Sequence, residues 1–260
     1  MSQRLAGKRA VITGGASGLG AGMGMRFAEH GARVALTDLN LEGARQVADE
    51  INAKYPDAAI ALAHDVADQQ SWEQVLHQAD AALGGFNVLV NNAGIGSMAS
   101  VEDETLEAFQ KVISVDVDSV FLGCKLAIPY MKQHQPGSII NLSSIAGLYA
   151  AGNMASYNAA KAAVWLLSKS VALHCASAGY DIRSNSLHPT FIRTPIMYEM
   201  GAAIGTTDKA EIERKLARSV PLKRVGEPDD VSYAAIYFAS DESRFITGVE
   251  LKIDGGMSAR

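Results

Sequence analysis

The chain has 260 residues, 48% of them hydrophobic and 20% charged, with 23 Lys+Arg against 28 Asp+Glu for a formal net charge of −5. A chain of this length and composition can bury a large core, which excludes global disorder. The acidic balance argues against a nucleic-acid groove binder, which presents a basic face.

In chain order, residues 9–13 read as a buried strand and 18–30 as a helix stopped by Gly31. A strand over 33–37, a helix over 41–54, a strand over 58–64 and a helix over 69–83 follow. Residues 87–90 are a fourth strand, and 106–134 read as one helix with Pro129 near its end. Residues 138–142 are a fifth strand, 155–176 a long helix and 182–187 a sixth strand. A Met- and Gly-containing stretch to about Arg224 reads as irregular, with an amphipathic helical run at 209–214. A helix over 228–239 and a strand over 249–253 complete the chain.

Strand–helix alternation from end to end predicts an α/β fold with helices on both faces of the sheet. The expectation is a single doubly wound, Rossmann-type domain over 1–260, with a seven-stranded, mostly parallel sheet. Residues 190–224 are then a substrate-binding insertion. No apolar run reaches the roughly 18 residues of a membrane span, so no membrane partner is expected. Residues 1–8 are too short and polar for a signal peptide, and Cys124 and Cys175 cannot build a disulfide framework. A reduced, cytoplasmic protein is the simplest reading. With no H-E-x-x-H, clustered cysteines or paired acidic loop, no metal is expected.

After the first strand comes Thr13-Gly14-Gly15-Ala16-Ser17-Gly18-Leu19-Gly20. A glycine-rich run between a strand and a helix lets a diphosphate approach the backbone and the helix N-terminus. Alone the run is a weak signal; its placement strengthens it. Asp38 ends the second strand 18 residues after Gly20, where a carboxylate bonds ribose hydroxyls and repels a 2′-phosphate. Its neighbour Leu39 supplies no cation, so NAD is expected over NADP. Asp65 and Val66 after the third strand, and Asn92, Ala93 and Gly94 after the fourth, are further cofactor-edge candidates.

Tyr157 and Lys161 are spaced i, i+4 near the start of the long helix, on one face and one turn apart. An ammonium beside a phenol favours the phenolate and is expected to lower its pKa, giving an acid/base that works nearer neutrality. Ser144, at the end of the fifth strand, can hold a substrate oxygen beside that phenol. Y-x-x-x-K alone is a common accident; joined to the glycine loop and Ser144 it is not.

With these motifs, and with Asn91-Asn92-Ala93-Gly94 and Asp254-Gly255-Gly256, the sequence resembles the short-chain dehydrogenase/reductase family over nearly its whole length. The resemblance implies that Tyr157 is the acid/base, Ser144 positions the substrate oxygen, and Lys161 binds the nicotinamide ribose. It also implies that the segment from Pro189 through Ile192 to Thr194 touches the carboxamide end, and that the protein is a homotetramer. Two departures stand out. The family's usual helix asparagine is Asp116 here, in Val115-Asp116-Val117. Its carboxylate can pair with a cation or serve as a buried structural acid, and it is carried as a catalytic candidate without an expected proton-transfer role. The second departure is His188-Pro189-Thr190, where Pro-Gly is usual.

Candidate substrate contacts are Ser144, Asn153, Phe191 and Tyr198, among apolar neighbours such as Leu148, Met154, Met197 and Met200. The expected activity is hydride transfer between NAD and an apolar, cyclic or steroid-like secondary alcohol or ketone. The Asn-Ser-Leu-His-Pro to Thr-Pro-Ile-Met run looks most like bacterial hydroxysteroid and cyclic-alcohol dehydrogenases. One alternative is a 3-oxoacyl-thioester reductase serving an acyl-carrier protein. Another, of a different class, is an NAD-sensing protein without turnover.

Overall fold

The computed structural model describes residues 3–259. Seven strands form one sheet: β1 Arg9–Thr13, β2 Arg33–Asp38, β3 Ala59–Ala63, β4 Val88–Asn91, β5 Gly137–Leu142, β6 Ile182–Pro189 and β7 Glu250–Ile253. Their order is β3-β2-β1-β4-β5-β6-β7, and every pairing is parallel, so the expectation of a mostly parallel sheet is exceeded. The order reverses between β1 and β4, opening a crevice beyond their carboxyl ends.

The strands are continuous apolar runs because both faces are covered. In β1, Ala10 and Ile12 join the core on one face with Phe27, Leu36, Ile236 and Phe238, while Val11 joins Trp72, Leu76, Phe86 and Met131 on the other. Burying a side chain such as Phe27 stabilises the fold by roughly 2–3 kcal/mol. The first face carries α1 Gly18–Glu29, α2 Leu41–Asn52 and α9 Pro228–Ala239. The second carries α3 Gln69–Leu83, α5 Ser119–Met131 and α6 Ala155–Ser177.

Two expectations need correction. The single helix over 106–134 is α4 Leu106–Ile113, a π-turn Ser114–Asp118 and then α5. The wider turn places Asp116 inside the protein, and such turns recur at functional sites. The stretch to about Arg224, expected to be irregular apart from the helical run at 209–214, also contains α7 Pro195–Gly201, and that run extends into α8 Lys209–Ser219. Pro195 starts α7, and Asp208 caps α8 by accepting the Ala210 N–H. No described helix is long and apolar enough to cross a membrane.

Candidate active site

A cavity of about 930 Å³ lies over the carboxyl ends of the strands. This is at the upper end of ordinary ligand pockets, about 300–1,000 Å³. One end is walled by Gly14, Ser17, Gly18 and Leu19 from the β1–α1 loop, with Asp38 and Leu39 after β2. Asp65, Val66, Asn92, Ala93 and Gly94 continue that wall. Ser144, Tyr157 and Lys161 face the same space with Pro189, Ile192 and Thr194.

The loop geometry follows from local chemistry. Gly14 has φ +68, and a Cβ there would lie 2.8 Å from Asn92 Nδ2. The Thr13 hydroxyl accepts the Asn92 and Ala93 N–H groups, both at 3.0 Å, and Asn92 Nδ2 donates to the Thr13 carbonyl at 2.8 Å. These bonds stitch the loops after β1 and β4 together. Ser17 precedes α1 without capping it through its side chain, which leaves helix N–H groups for an anion. Gly20 does not line the cavity, contrary to its expected cofactor contact. A Cβ at Gly20 would sit 2.0 Å from the Gly14 carbonyl oxygen, so its role is to let α1 pack against the loop.

Asp38 is oriented by two backbone donors: Oδ2 accepts from Ala16 at 3.0 Å and Oδ1 from Asn40 at 2.8 Å. Beside it, the Trp72 indole N–H donates to the Val66 carbonyl at 2.9 Å and steadies that turn. A nucleotide's diphosphate and ribose fit this half of the cavity, with uncapped helix N–H groups at one point and a fixed carboxylate at another.

The other half is built around Ser144, which starts the short turn after β5. Its hydroxyl accepts the Ala146 N–H at 3.1 Å and donates to the Pro189 carbonyl at 3.4 Å. Its carbonyl meets His188 Nδ1 at 3.0 Å, while Ser186 and His188 Nε2 are 2.9 Å apart. Burial pushes the His188 imidazole down to about 4, against the pull of the Ser144 carbonyl. His188 is therefore a neutral strut behind Ser144. On α6, the first turn is tied down by Ser156, which donates to Glu104 at 2.6 Å. Ser143 donates to the Lys161 carbonyl at 2.8 Å, locking the serine turn against α6.

Lys161 Nζ lies 5.5 Å from the centre of the Tyr157 ring. It pairs with Asp116 at 2.8 Å and donates to the Leu142 carbonyl at 3.2 Å. The expected lowering of the Tyr157 pKa is not the net result. Burial raises the phenol above its ordinary value; Lys161 opposes this, Asp116 adds to it, and Ser144 opposes it weakly. For Lys161, burial pulls down, but Asp116 and Tyr157 together outweigh it and the ammonium is held above its ordinary value.

Among expected substrate contacts, Ser144, Asn153 and Phe191 line the cavity, as do Met154, Met197 and Met200. Tyr198 does not: its hydroxyl donates to Glu213 at 2.6 Å, on the side of α7 that meets α8. Leu148 is also outside the lining. Residues not foreseen include Ile95, Met98, Lys111, Met257 and Ser258, while Glu199 falls within the expected substrate-binding insertion. Met257 and Ser258 follow the turn after β7, where Thr190 donates to Met257 Sδ at 3.2 Å. The Asp254-Gly255-Gly256 run signalled that turn, but not its reach back to the cavity.

A protein-family profile described as enoyl-(acyl carrier protein) reductase matches residues 14–258. An NADP-dependent (R)-specific alcohol dehydrogenase of Lentilactobacillus kefiri is 39% identical over 100% of both chains. A 2,5-dichloro-2,5-cyclohexadiene-1,4-diol dehydrogenase of Sphingobium indicum is 42% identical over 99% of both chains. The crystal structure of a short-chain type dehydrogenase/reductase from Mycobacterium marinum superposes with a TM-score of 0.90 at 33% identity, covering 99% of this chain and 98% of that one. Fold, motif placement and these similarities agree: the chain belongs to the short-chain dehydrogenase/reductase family.

Proposed function

We propose that the protein is an NAD-dependent dehydrogenase of apolar, cyclic secondary alcohols, up to steroid size, acting reversibly on the matching ketones. One observation carries this reading: Ser144, Tyr157 and Lys161 share a cavity with a dinucleotide loop and a fixed Asp38. Bound NAD supplies the hydride acceptor. In oxidation, the Tyr157 phenolate takes the hydroxyl proton while the Ser144 hydroxyl holds the substrate oxygen. Lys161 is ion-paired with Asp116 and donates to the Leu142 carbonyl, which leaves donor capacity on Nζ for a ribose hydroxyl. Orientation and fixed dipoles supply the rate.

The walls beyond Tyr157 are Met98, Met154, Phe191, Met197, Met200 and Met257, a pliable apolar surface suited to a ring system. The Sphingobium relative is named for a cyclic diol, which supports the same substrate class. An acyl-carrier protein needs free basic groups near the mouth. Arg193, between the cavity-lining Ile192 and Thr194, is paired with Glu213 and Glu227, which leaves Lys111 and Lys161 as the basic groups of the described lining, and Lys161 is held by Asp116.

The Lentilactobacillus relative is named as NADP-dependent, so the choice of NAD rests on this chain's own residues. Asp38 repels a 2′-phosphate, Leu39 is exposed beside it, and no arginine is among the described residues that line the cavity. A homotetramer in a reducing, cytoplasmic setting completes the proposal. Phe121 on α5 and Leu166 and Leu173 on α6 are exposed, as is Phe245, and both cysteines are unpaired. Light scattering tests the tetramer, and a monomeric mass would sink it.

The activity test is a panel of cyclohexanol, a cyclohexanediol and a 3-hydroxysteroid with NAD or NADP, read by nicotinamide absorbance. NAD is expected to give the higher kcat/KM. Tyr157→Phe is expected to lose nearly all turnover while still binding NAD. Normal turnover by that variant would defeat the mechanism, and an NADP preference would defeat the cofactor assignment.

A further inference from the structure

Asp116 is fully buried, at 0% exposure; one oxygen accepts a hydrogen bond and the other forms an ion pair. Oδ1 accepts the Ile95 N–H at 2.8 Å, and Oδ2 pairs with Lys161 Nζ at 2.8 Å. The backbone is shaped around this pair. A Cβ at Gly94 would come within 3.1 and 3.3 Å of the two carboxylate oxygens and 3.3 Å of Nζ. An asparagine in the same place carries one acceptor and one donor. With its oxygen on Ile95, its amide nitrogen would face an ammonium, which only donates. Flipped, the nitrogen would face the Ile95 N–H. Only a carboxylate satisfies both neighbours.

The exchange alters charge as well as hydrogen bonding. An unpaired Lys161 would present a full positive charge 5.5 Å from the Tyr157 ring; here it presents an ion pair. The other groups around the phenol leave that balance intact. Ser144 on the turn after β5 is neutral, and His188 of β6 behind it is neutral above about 4. Glu104, from the loop before α4, is engaged by Ser97 and Ser156. Lys111 of α4 and Glu199 of α7 line the same cavity with opposite charges, and Tyr149 lines it beyond the serine turn.

We propose that Asp116 is a positioning residue, the counter-ion that holds Lys161 in place and withholds part of its charge from Tyr157, so that alcohol oxidation rises only at higher pH than an asparagine there would allow. The inference rests on the reading of Tyr157 as the acid/base. It agrees with the direction found for the phenol, which Asp116 pushes up against the pull of Lys161.

The test is the pH dependence of kcat/KM for the fastest alcohol of the panel, at saturating NAD, in wild type, Asp116→Asn and Asp116→Glu. Asp116→Asn is expected to move the acid-side limb to lower pH. At a pH on the wild-type limb, its rate relative to its own plateau should rise at least about threefold. Asp116→Glu keeps the charge and is expected to keep the limb, even with a lower plateau. An unmoved or upward-moving limb in Asp116→Asn, or an equal shift in Asp116→Glu, overturns the proposal. Should Asp116→Asn fail to fold, Asp116→Ser, which also removes the charge, takes its place in the same pH profile: a limb moved to lower pH supports the counter-ion, and an unmoved or raised limb overturns it. Turnover retained in Tyr157→Phe breaks the acid/base reading itself; an inactive Tyr157→Phe with an unmoved Asp116→Asn limb breaks only the counter-ion.

Discussion

Two buried neutral imidazoles make the fold sensitive to mild acid. His188 is 0% exposed behind Ser144, and His64 is 2% exposed at the end of β3, edge-on to Trp72. Burial pushes each down to about 4, with Asp65 and Asp68 opposing it at His64 and the Ser144 carbonyl opposing it at His188. The unfolded chain binds a proton near 6.5 that the folded chain refuses until about 4. Stability is therefore fully present above about 6.5, falls as pH drops and levels off below about 4. A gap of roughly 2.5 units corresponds to about 3 kcal/mol per histidine over the whole window, and about 2 kcal/mol by pH 5. Carboxylates held low by ion pairs, such as Glu213 at about 2, lose their contribution only below the ordinary carboxylate range, so the interval from about pH 7 to 5 isolates the imidazoles. The assay is urea unfolding at those two values for wild type and His188→Gln, whose amide can still meet Ser144 and Ser186. The variant should be less stable near neutrality yet lose about 2 kcal/mol less on acidification. An equal loss in both proteins would show that His188 titrates normally and would refute the reasoning.

Three further outcomes follow from the close approaches. Gly20→Ala forces a Cβ to 2.0 Å from the Gly14 carbonyl oxygen. It should cost about 3 kcal/mol or more, lowering Tm by several degrees, and weaken NAD at least about tenfold by calorimetry. Gly94→Ala puts a methyl group 3.1 Å from Asp116 Oδ2 and 3.3 Å from Lys161 Nζ, so kcat should fall about tenfold or more while the thermal-shift Tm moves by less than about 3 °C. Tyr198→Phe removes the bond to Glu213 outside the cavity; KM for the best alcohol should stay within about twofold, and a larger change would return Tyr198 to the substrate wall.

Much of the fold is legible because its signals are local. The helix Gln69–Leu83 falls at its expected bounds: Asp68 accepts the Gln70 and Ser71 N–H groups at one end, and Gly84 adopts a left-handed conformation at the other. The break at Ser114–Asp118 has no such mark. Nothing in Ser-Val-Asp-Val-Asp announces a π-turn, whose cause is tertiary: Asp116 reaches Ile95 and Lys161. The start signals Pro195 and Asp208 were present for α7 and α8, but mixed Met, Gly and charged residues blurred the period between them. The spacing of Tyr157 and Lys161 brings both to the cavity because one helix turn carries both. The supports of that turn could not be read the same way. Glu104 reaches Ser156, and His188 reaches Ser144, across 52 and 44 residues.

Asp38 on the cavity wall and Asp116 buried behind Lys161 share a construction that explains why a net charge of −5 says little about the site. Asp38 is fixed by the Ala16 and Asn40 N–H groups, and Asp116 by Ile95, so neither reorients when a charge arrives. Fixed dipoles of this kind cost no reorganisation, which is where preorganised sites gain over water. Their surroundings differ. Asp38 stands at a half-exposed rim without a cation, so its charge acts on whatever binds there. Asp116 is buried against Lys161, so its charge is spent inside the protein, adjusting a neighbour. A fixed carboxylate can thus select a ligand or tune a residue, and its partner decides which.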